Sequence, residues 1–134
     1  MTIVVGYIPT PEGKAALEAA VSEAKERRRR LVVVNSHKGG ASFDGDDAIA
    51  TEEALSAVEQ ELKEAGVEFV IRELIRGNDP TDDLISVAHE MDASLIVIGL
   101  RRRTPVGKLI LGSNAQKLLL EADCPVLSVK APRD

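Results

Sequence analysis

Cysteine is nearly absent from this chain, and aromatic residues are scarce. Cys124 stands alone, so no disulfide can form within the chain, and a compartment that keeps thiols reduced is expected. There is no tryptophan, one tyrosine and two phenylalanines, which leaves aromatics at 2%. That scarcity argues against the stacking platforms that bind single-stranded nucleic acid. It also leaves Val, Leu, Ile and Ala to build the core. A net charge of −5 disfavours general nucleic-acid binding, although charge can still be locally positive. No apolar run approaches the roughly 20 residues that span a bilayer. Met1-Thr2-Ile3 leads into an apolar run without the basic and apolar regions of a signal peptide. The expectation is a cytoplasmic protein whose partners include neither nucleic acid nor membrane.

What is present suits one domain over residues 1–134, with 44% hydrophobic and 29% charged residues. Ile3-Val4-Val5-Gly6-Tyr7-Ile8 is apolar on both faces, as for a central parallel strand. Thr10-Pro11-Glu12 reads as cap, first helical residue and dipole-favoured acid, opening a helix to about Arg29. Leu31 to Asn35 is a second strand, and His37 to Asp47 reads as a mobile loop. Thr51-Glu52-Glu53-Ala54 starts or continues a second helix that ends at Gly66, and Val67 to Ile75 forms a third strand whose partial alternation suits a half-exposed place in a sheet. Asp79 caps a helix that starts at Pro80 and runs to about Glu90. Leu95 to Ile98 is a fourth strand, Gly112 to Ala122 a fourth helix, and Val126 to Val129 a fifth strand. This alternation predicts a single-domain, doubly wound α/β fold: a five-stranded parallel sheet with helices on both faces. Ligands on such sheets bind at the carboxyl ends of the strands. Three loops there hold unusual residues: Gly6 to Thr10, Asn35 to Gly40, and Gly99 to Ser113.

The last of these carries the strongest signal. Between the apolar run Leu95-Ile96-Val97-Ile98 and the fourth helix lie Gly99, Arg101, Arg102, Arg103, Gly107, Lys108, Gly112 and Ser113. Free backbone N–H groups and a helix dipole at such a junction suit a phosphate. Gly112-Ser113-Asn114 can equally be a turn with ordinary capping. The arginines can be a solvated basic loop, or charge-assisted ligands for phosphate.

These segments resemble the universal stress protein family over nearly the whole chain. The resemblance rests on Pro11-Glu12-Gly13-Lys14-Ala15-Ala16-Leu17 after the first strand, Ala93-Ser94-Leu95-Ile96-Val97-Ile98-Gly99, Leu109-Ile110-Leu111-Gly112-Ser113, and Cys124-Pro125-Val126-Leu127-Ser128-Val129. It implies a Rossmann-like domain of the adenine nucleotide α-hydrolase type. The ATP-binding branch carries Gly-x2-Gly-x9-Gly followed by Ser or Thr. Here Gly99, Gly112 and Ser113 match, and Arg102 stands at the second glycine. A side chain there obstructs the close approach of phosphate or ribose that glycine permits. The family's first strand usually ends in an aspartate, and Ile8 takes that place. Ser36 aligns with a backbone contact to the adenine.

Two functions follow from the resemblance. In the first, the protein is a cytoplasmic stress-response protein that binds an adenine nucleotide, ATP or AMP, with Mg²⁺ accompanying ATP. Gly6, Tyr7, Ile8 and Ser36 would line the base side. Ile98, Gly99, Gly112, Ser113 and Asn114 would meet ribose and phosphates, and Arg101 and Arg102 would add charge. With no base, nucleophile or metal-ligand set visible, binding and at most slow ATP hydrolysis are expected. In the second, Ile8 and Arg102 alter the pocket, and the chain is a dimeric interaction protein without nucleotide. The family commonly forms homodimers through the last strand, here Val126 to Val129, which also shields an apolar edge. An adenylating enzyme of the wider superfamily would need machinery that this short chain does not display.

The remaining polar features read more plainly. Arg27 to Arg30 crowd a helix end. His37 is a loop histidine, and His89 lacks a metal-ligand partner at suitable spacing. Cys124 reads as a buried small hydrophobe. Asp44 and Asp46 begin an EF-hand spacing that Ala48, Ile49 and Leu55 then break.

Overall fold

The computed structural model describes residues 1–37, 45–75, 79–100 and 113–131. The elements run β1 (Thr2–Gly6), α1 (Pro11–Arg27), β2 (Arg30–His37), α2 (Gly45–Ala65), β3 (Phe69–Ile75), α3 (Pro80–Glu90), β4 (Ala93–Leu100), α4 (Ser113–Glu121) and β5 (Val126–Lys130). The strands form one five-stranded sheet in the order β3-β2-β1-β4-β5, and every pair is parallel. The doubly wound α/β expectation therefore holds.

Side chains alternate between the two faces of the pleat, and the two cores follow that alternation. Ile3, Val5, Leu31, Val33 and Val97 point to one face, where α1 and α2 cover them with Ala16, Leu17, Ala20, Leu55, Val58 and Leu62. Val4, Val32, Val34, Ile96 and Ile98 point to the other, beneath Leu84, Val87 and Ala88 of α3 and Leu118 of α4. β1 is central because both of its faces are apolar. β3 lies at the sheet edge, and the half-exposed Val70 fits its partial alternation.

Several boundaries differ from the sequence reading. β1 ends at Gly6 instead of Ile8. The Tyr7 carbonyl accepts from Asn35 Nδ2 at 3.0 Å, so a side chain takes that oxygen, and Pro9 then removes a backbone donor. α2 begins at Gly45, inside the segment read as a loop. β3 begins at Phe69, after Gly66 in the left-handed region at φ +74° closes α2. β4 is longer than its apolar run, from Ala93 to Leu100, and α4 spans Ser113–Glu121.

Candidate functional site

Strand order switches direction between β1 and β4: β1 leads to β2 on one side, while β4 and β5 lie on the other. The crevice outside the carboxyl ends at such a switch is where open α/β sheets place their ligands. A cavity of about 400 Å³ lies there, a size suited to a small organic ligand. Its walls include Gly6, Tyr7 and Ile8 after β1, Val34 and Ser36 of β2, and Ile98, Gly99 and Leu100 of β4. The first turns of three helices complete it: Thr10, Glu12 and Gly13 at α1, Pro80, Thr81 and Leu84 at α3, and Asn114, Ala115 and Leu118 at α4.

Two glycines allow this convergence. A Cβ at Gly99 would overlap the Glu12 carbonyl oxygen, and a Cβ at Gly13 would overlap the Ile8 carbonyl oxygen. Helix α1 thus starts in backbone contact with the end of β4 and with the turn that follows β1. Gly99 is required by this packing whatever it does for a ligand. Asn35, 1% exposed, holds that turn from β2 through its bond to the Tyr7 carbonyl. Its Oδ1 is buried without a hydrogen-bond partner among the described residues.

The helix starts differ in their electrostatics. Thr10 Oγ1 accepts from Gly13 N at 3.1 Å, and Asp79 Oδ1 accepts from Thr81 N at 2.8 Å. Both caps precede a proline, and both first turns carry acids: Glu12 in α1, Asp82 and Asp83 in α3. Helix α4 opens Ser113-Asn114-Ala115 with no acid in its first turn. Lys117 of α4 meets Asp82 of α3 at 2.5 Å, which ties the two helices together, and the bond to Asp82 raises the Lys117 pKa.

At the other end of the cavity, Ser36 Oγ donates to Asp83 Oδ2 at 2.5 Å. Asp83 is 2% exposed and Ser36 is half-buried in the cavity wall. Ile8, 47% exposed, gives an apolar side chain to the rim where the family resemblance places a carboxylate. The Tyr7 side chain is buried in the core on the α1–α2 face; desolvation raises its pKa, and Glu61 adds to the shift.

Of the residues singled out from sequence, Gly6, Tyr7, Ile8, Ser36, Ile98, Gly99 and Asn114 surround this one cavity. Ser113 is the first residue of α4. Arg101, Arg102 and Gly112 lie outside the described residues, as do Arg103 and Lys108. The α3 contribution was missed. The signal for it was the cap Asp79-Pro80, which follows a strand's carboxyl end just as Thr10-Pro11 does.

A smaller cavity of about 200 Å³ lies toward the ends of α3 and α4, beside His89, Asp92, Asp123 and Cys124. His89 Nδ1 and Asp123 Oδ2 are 3.2 Å apart, a pairing supplied by the fold and not by sequence spacing. Cys124 is half-buried, more open than the sequence reading has it, because it sits in the bend entering β5. Desolvation, then Asp123, raises its pKa and keeps the thiol protonated at neutral pH. Among the described residues no group of three His, Cys, Asp or Glu side chains could hold a metal ion. Nor is any described helix long and apolar enough to cross a membrane.

Comparison with known proteins places this geometry in a family. Residues 1–130 match the profile of the Universal stress protein family. A universal stress protein of Mycolicibacterium smegmatis is 48% identical over 128 residues, covering 96% of this chain and 96% of that protein. A universal stress protein from Archaeoglobus fulgidus superposes with a TM-score of 0.84 at 38% identity, over 97% of this chain and 98% of the other. A structure of the universal stress protein from Archaeoglobus fulgidus in complex with dAMP superposes with a TM-score of 0.79 at 34% identity, again over 97% and 98%.

Proposed function

The chain belongs to the universal stress protein family, and we propose that it is a cytoplasmic stress-response protein that binds an adenine nucleotide in the cavity between β1 and β4. The observation that carries this reading is the cavity itself, with apolar walls at one end and an acid-free helix start at the other. Val34, Leu84 and Ile98 offer aliphatic surface to a base. The first turn of α4 offers backbone N–H groups and the positive end of a dipole to phosphate. The dAMP bound by the Archaeoglobus relative is a ligand of the same class. Ile8 does not close the cavity; it replaces a polar contact at the rim with an apolar one.

Binding rather than turnover is the proposed activity, with at most slow hydrolysis of ATP. Glu12 is the one carboxylate among the described cavity residues, and it sits in the first turn of α1. Mg²⁺ would enter only with the phosphates of ATP. Calorimetric titration of nucleotide-stripped protein with ATP, AMP and cyclic AMP, with and without Mg²⁺, tests the reading. Micromolar binding of any of them supports it, and no heat at millimolar ligand overturns it.

A specific observation also favours the homodimer. β5 pairs with β4 alone among the described residues, and Val126, Leu127, Ser128 and Val129 are only partly buried. An apolar edge of this kind is a template for another strand, and pairing Val126–Val129 of two copies about a two-fold axis would cover it. Sedimentation velocity at micromolar concentration should give twice the chain mass; a monomer would remove the proposal.

A further inference from the structure

We infer that two copies of this chain associate through the amino edge of the sheet, each placing Arg30 at the small cavity beside Asp123 and Cys124 of the other. The inference is independent of what fills the cavity between β1 and β4. Four arginines, Arg27 to Arg30, lie where α1 ends and β2 begins. Arg27 is paired with Glu23 at 2.8 Å, but among the described residues no acid pairs with Arg28, Arg29 or Arg30. Arg30 makes one long bond, 3.5 Å to Thr2 Oγ1, and its Nε is buried without a partner among the described residues. A guanidinium binds a carboxylate through two parallel hydrogen bonds, and Arg30 has that capacity unspent.

The complementary feature lies on the same edge and the same face. Asp92 and Asp123 precede β4 and β5, and with His89 they line the cavity of about 200 Å³. Its deeper walls are the buried Ala88 and Ile96. This space is smaller than a cofactor pocket and takes one long side chain. Apolar walls suit the methylene stem of an arginine, and exposed carboxylates suit its head. Arg30 alternates with Val32 and Val34 along β2, so it stands on the α3–α4 face, where this cavity also lies.

Strand order decides how the two features meet. All strands are parallel, so all begin at this edge, and in the order β2-β1-β4-β5 the strands β2 and β5 lie symmetrically about the line between β1 and β4. A two-fold axis through that line, normal to the sheet, sets two amino edges against each other. It places β2 of one copy opposite β5 of the other and keeps both α3–α4 faces on the same side. Arg30, at the start of β2, then meets Asp123 of the second copy, and the contact occurs twice. Within one chain β1 and β4 stand between the two residues. Arg28 and Arg29 add positive charge opposite a carboxylate-bearing half of the edge.

Sedimentation velocity on the full chain at about 10 mM and about 1 M salt tests the contact, because the screening length falls from about 30 Å to about 3 Å between them. Copies of net charge −5 repel one another most at low salt, so an association that salt dissolves needs a complementary patch. Pairing through the apolar edge of β5 would persist at both, so the high-salt mass is the baseline. At low salt the wild type should sediment with at least twice that mass. Arg30→Glu should abolish the difference. So should Asp123→Arg, at a side chain 81% exposed where the fold bears the change. Combining Arg30→Glu with Asp123→Arg should restore it, which damage to the fold cannot do. The same wild-type mass at both salts overturns the inference. So does a single variant, folded by far-ultraviolet circular dichroism, that still associates, or a double variant that does not.

Discussion

Three helices begin at one cavity, and they begin in two ways. Helices α1 and α3 are finished by their own chain. Each has a side-chain cap, Thr10 or Asp79, a proline at the first position, and acids in the first turn. Helix α4 has no acid in its first turn. Negative side chains near an N-terminus satisfy its partial positive charge and repel any further anion. The first two starts thus disfavour a further anion, and in the proposed reading the acid-free start of α4 is the one that would meet phosphate. The difference teaches that a helix N-terminus in this fold is not a binding site by default. Local sequence decides how much of its partial charge the chain itself satisfies.

The closed state of α1 depends on close packing, and breaking that should have the largest effect. Gly13 sits inside the first turn, and a Cβ there would overlap the Ile8 carbonyl oxygen. Helix propensity alone says that Gly→Ala should stabilise by about 1 kcal/mol. Overpacking against backbone, which cannot rotate aside, costs about 3 kcal/mol or more. The second effect should win, so Gly13→Ala is expected to lower unfolding free energy by roughly 2 kcal/mol in urea titration. A stabilised variant would mean that α1 can slide off the end of β1, and that its start is less fixed than that of α3.

The open state of α4 can be tested by making it resemble the other two. Asn114→Asp puts an acid into the first turn of α4, at the cavity wall. The helix itself should gain a few tenths of a kcal/mol from its dipole. A nucleotide phosphate should bind roughly tenfold more weakly, about 1.4 kcal/mol. Opposite signs for stability and affinity are the signature of a start that is reserved for an anion. If affinity is unchanged, phosphate lies elsewhere, and the contrast among the helices is about folding alone.

Much of this was legible in the chain and some was not, for physical reasons. Strands β1, β2 and β4 declare themselves because their central residues, Ile3–Val5, Leu31–Val34 and Ile96–Ile98, are buried on both faces and apolar. Thr10-Pro11 and Asp79-Pro80 declare helix starts because capping is local chemistry. The end of β1 was misplaced because Asn35, 28 residues away, takes the Tyr7 carbonyl. The Ser36–Asp83 bond joins residues 47 apart, and no spacing rule connects them. Helix α3 follows the edge strand β3, yet the fold carries it back across β2, β1 and β4, so its first turn reaches the cavity. The sequence reading gives Gly99 to a ligand, whereas Gly99, like Gly13, is first of all where backbones meet.

The smallest effect should separate capping from charge at the closed helix α3. Asp79 both accepts from Thr81 N and places a negative charge at the helix start. Asp79→Ala removes the two together and should cost about 1 kcal/mol of stability. Asp79→Asn keeps an acceptor and discards the charge, and asparagine caps about as well as aspartate. It should therefore retain most of that stability, within about 0.5 kcal/mol of the wild type. Asp79 is not part of the cavity wall, so neither change should shift nucleotide affinity as Asn114→Asp does. If Asp79→Asn instead loses as much as Asp79→Ala, charge and not the hydrogen bond closes α3. Negative charge at this helix start would then be what disfavours an anion at α3.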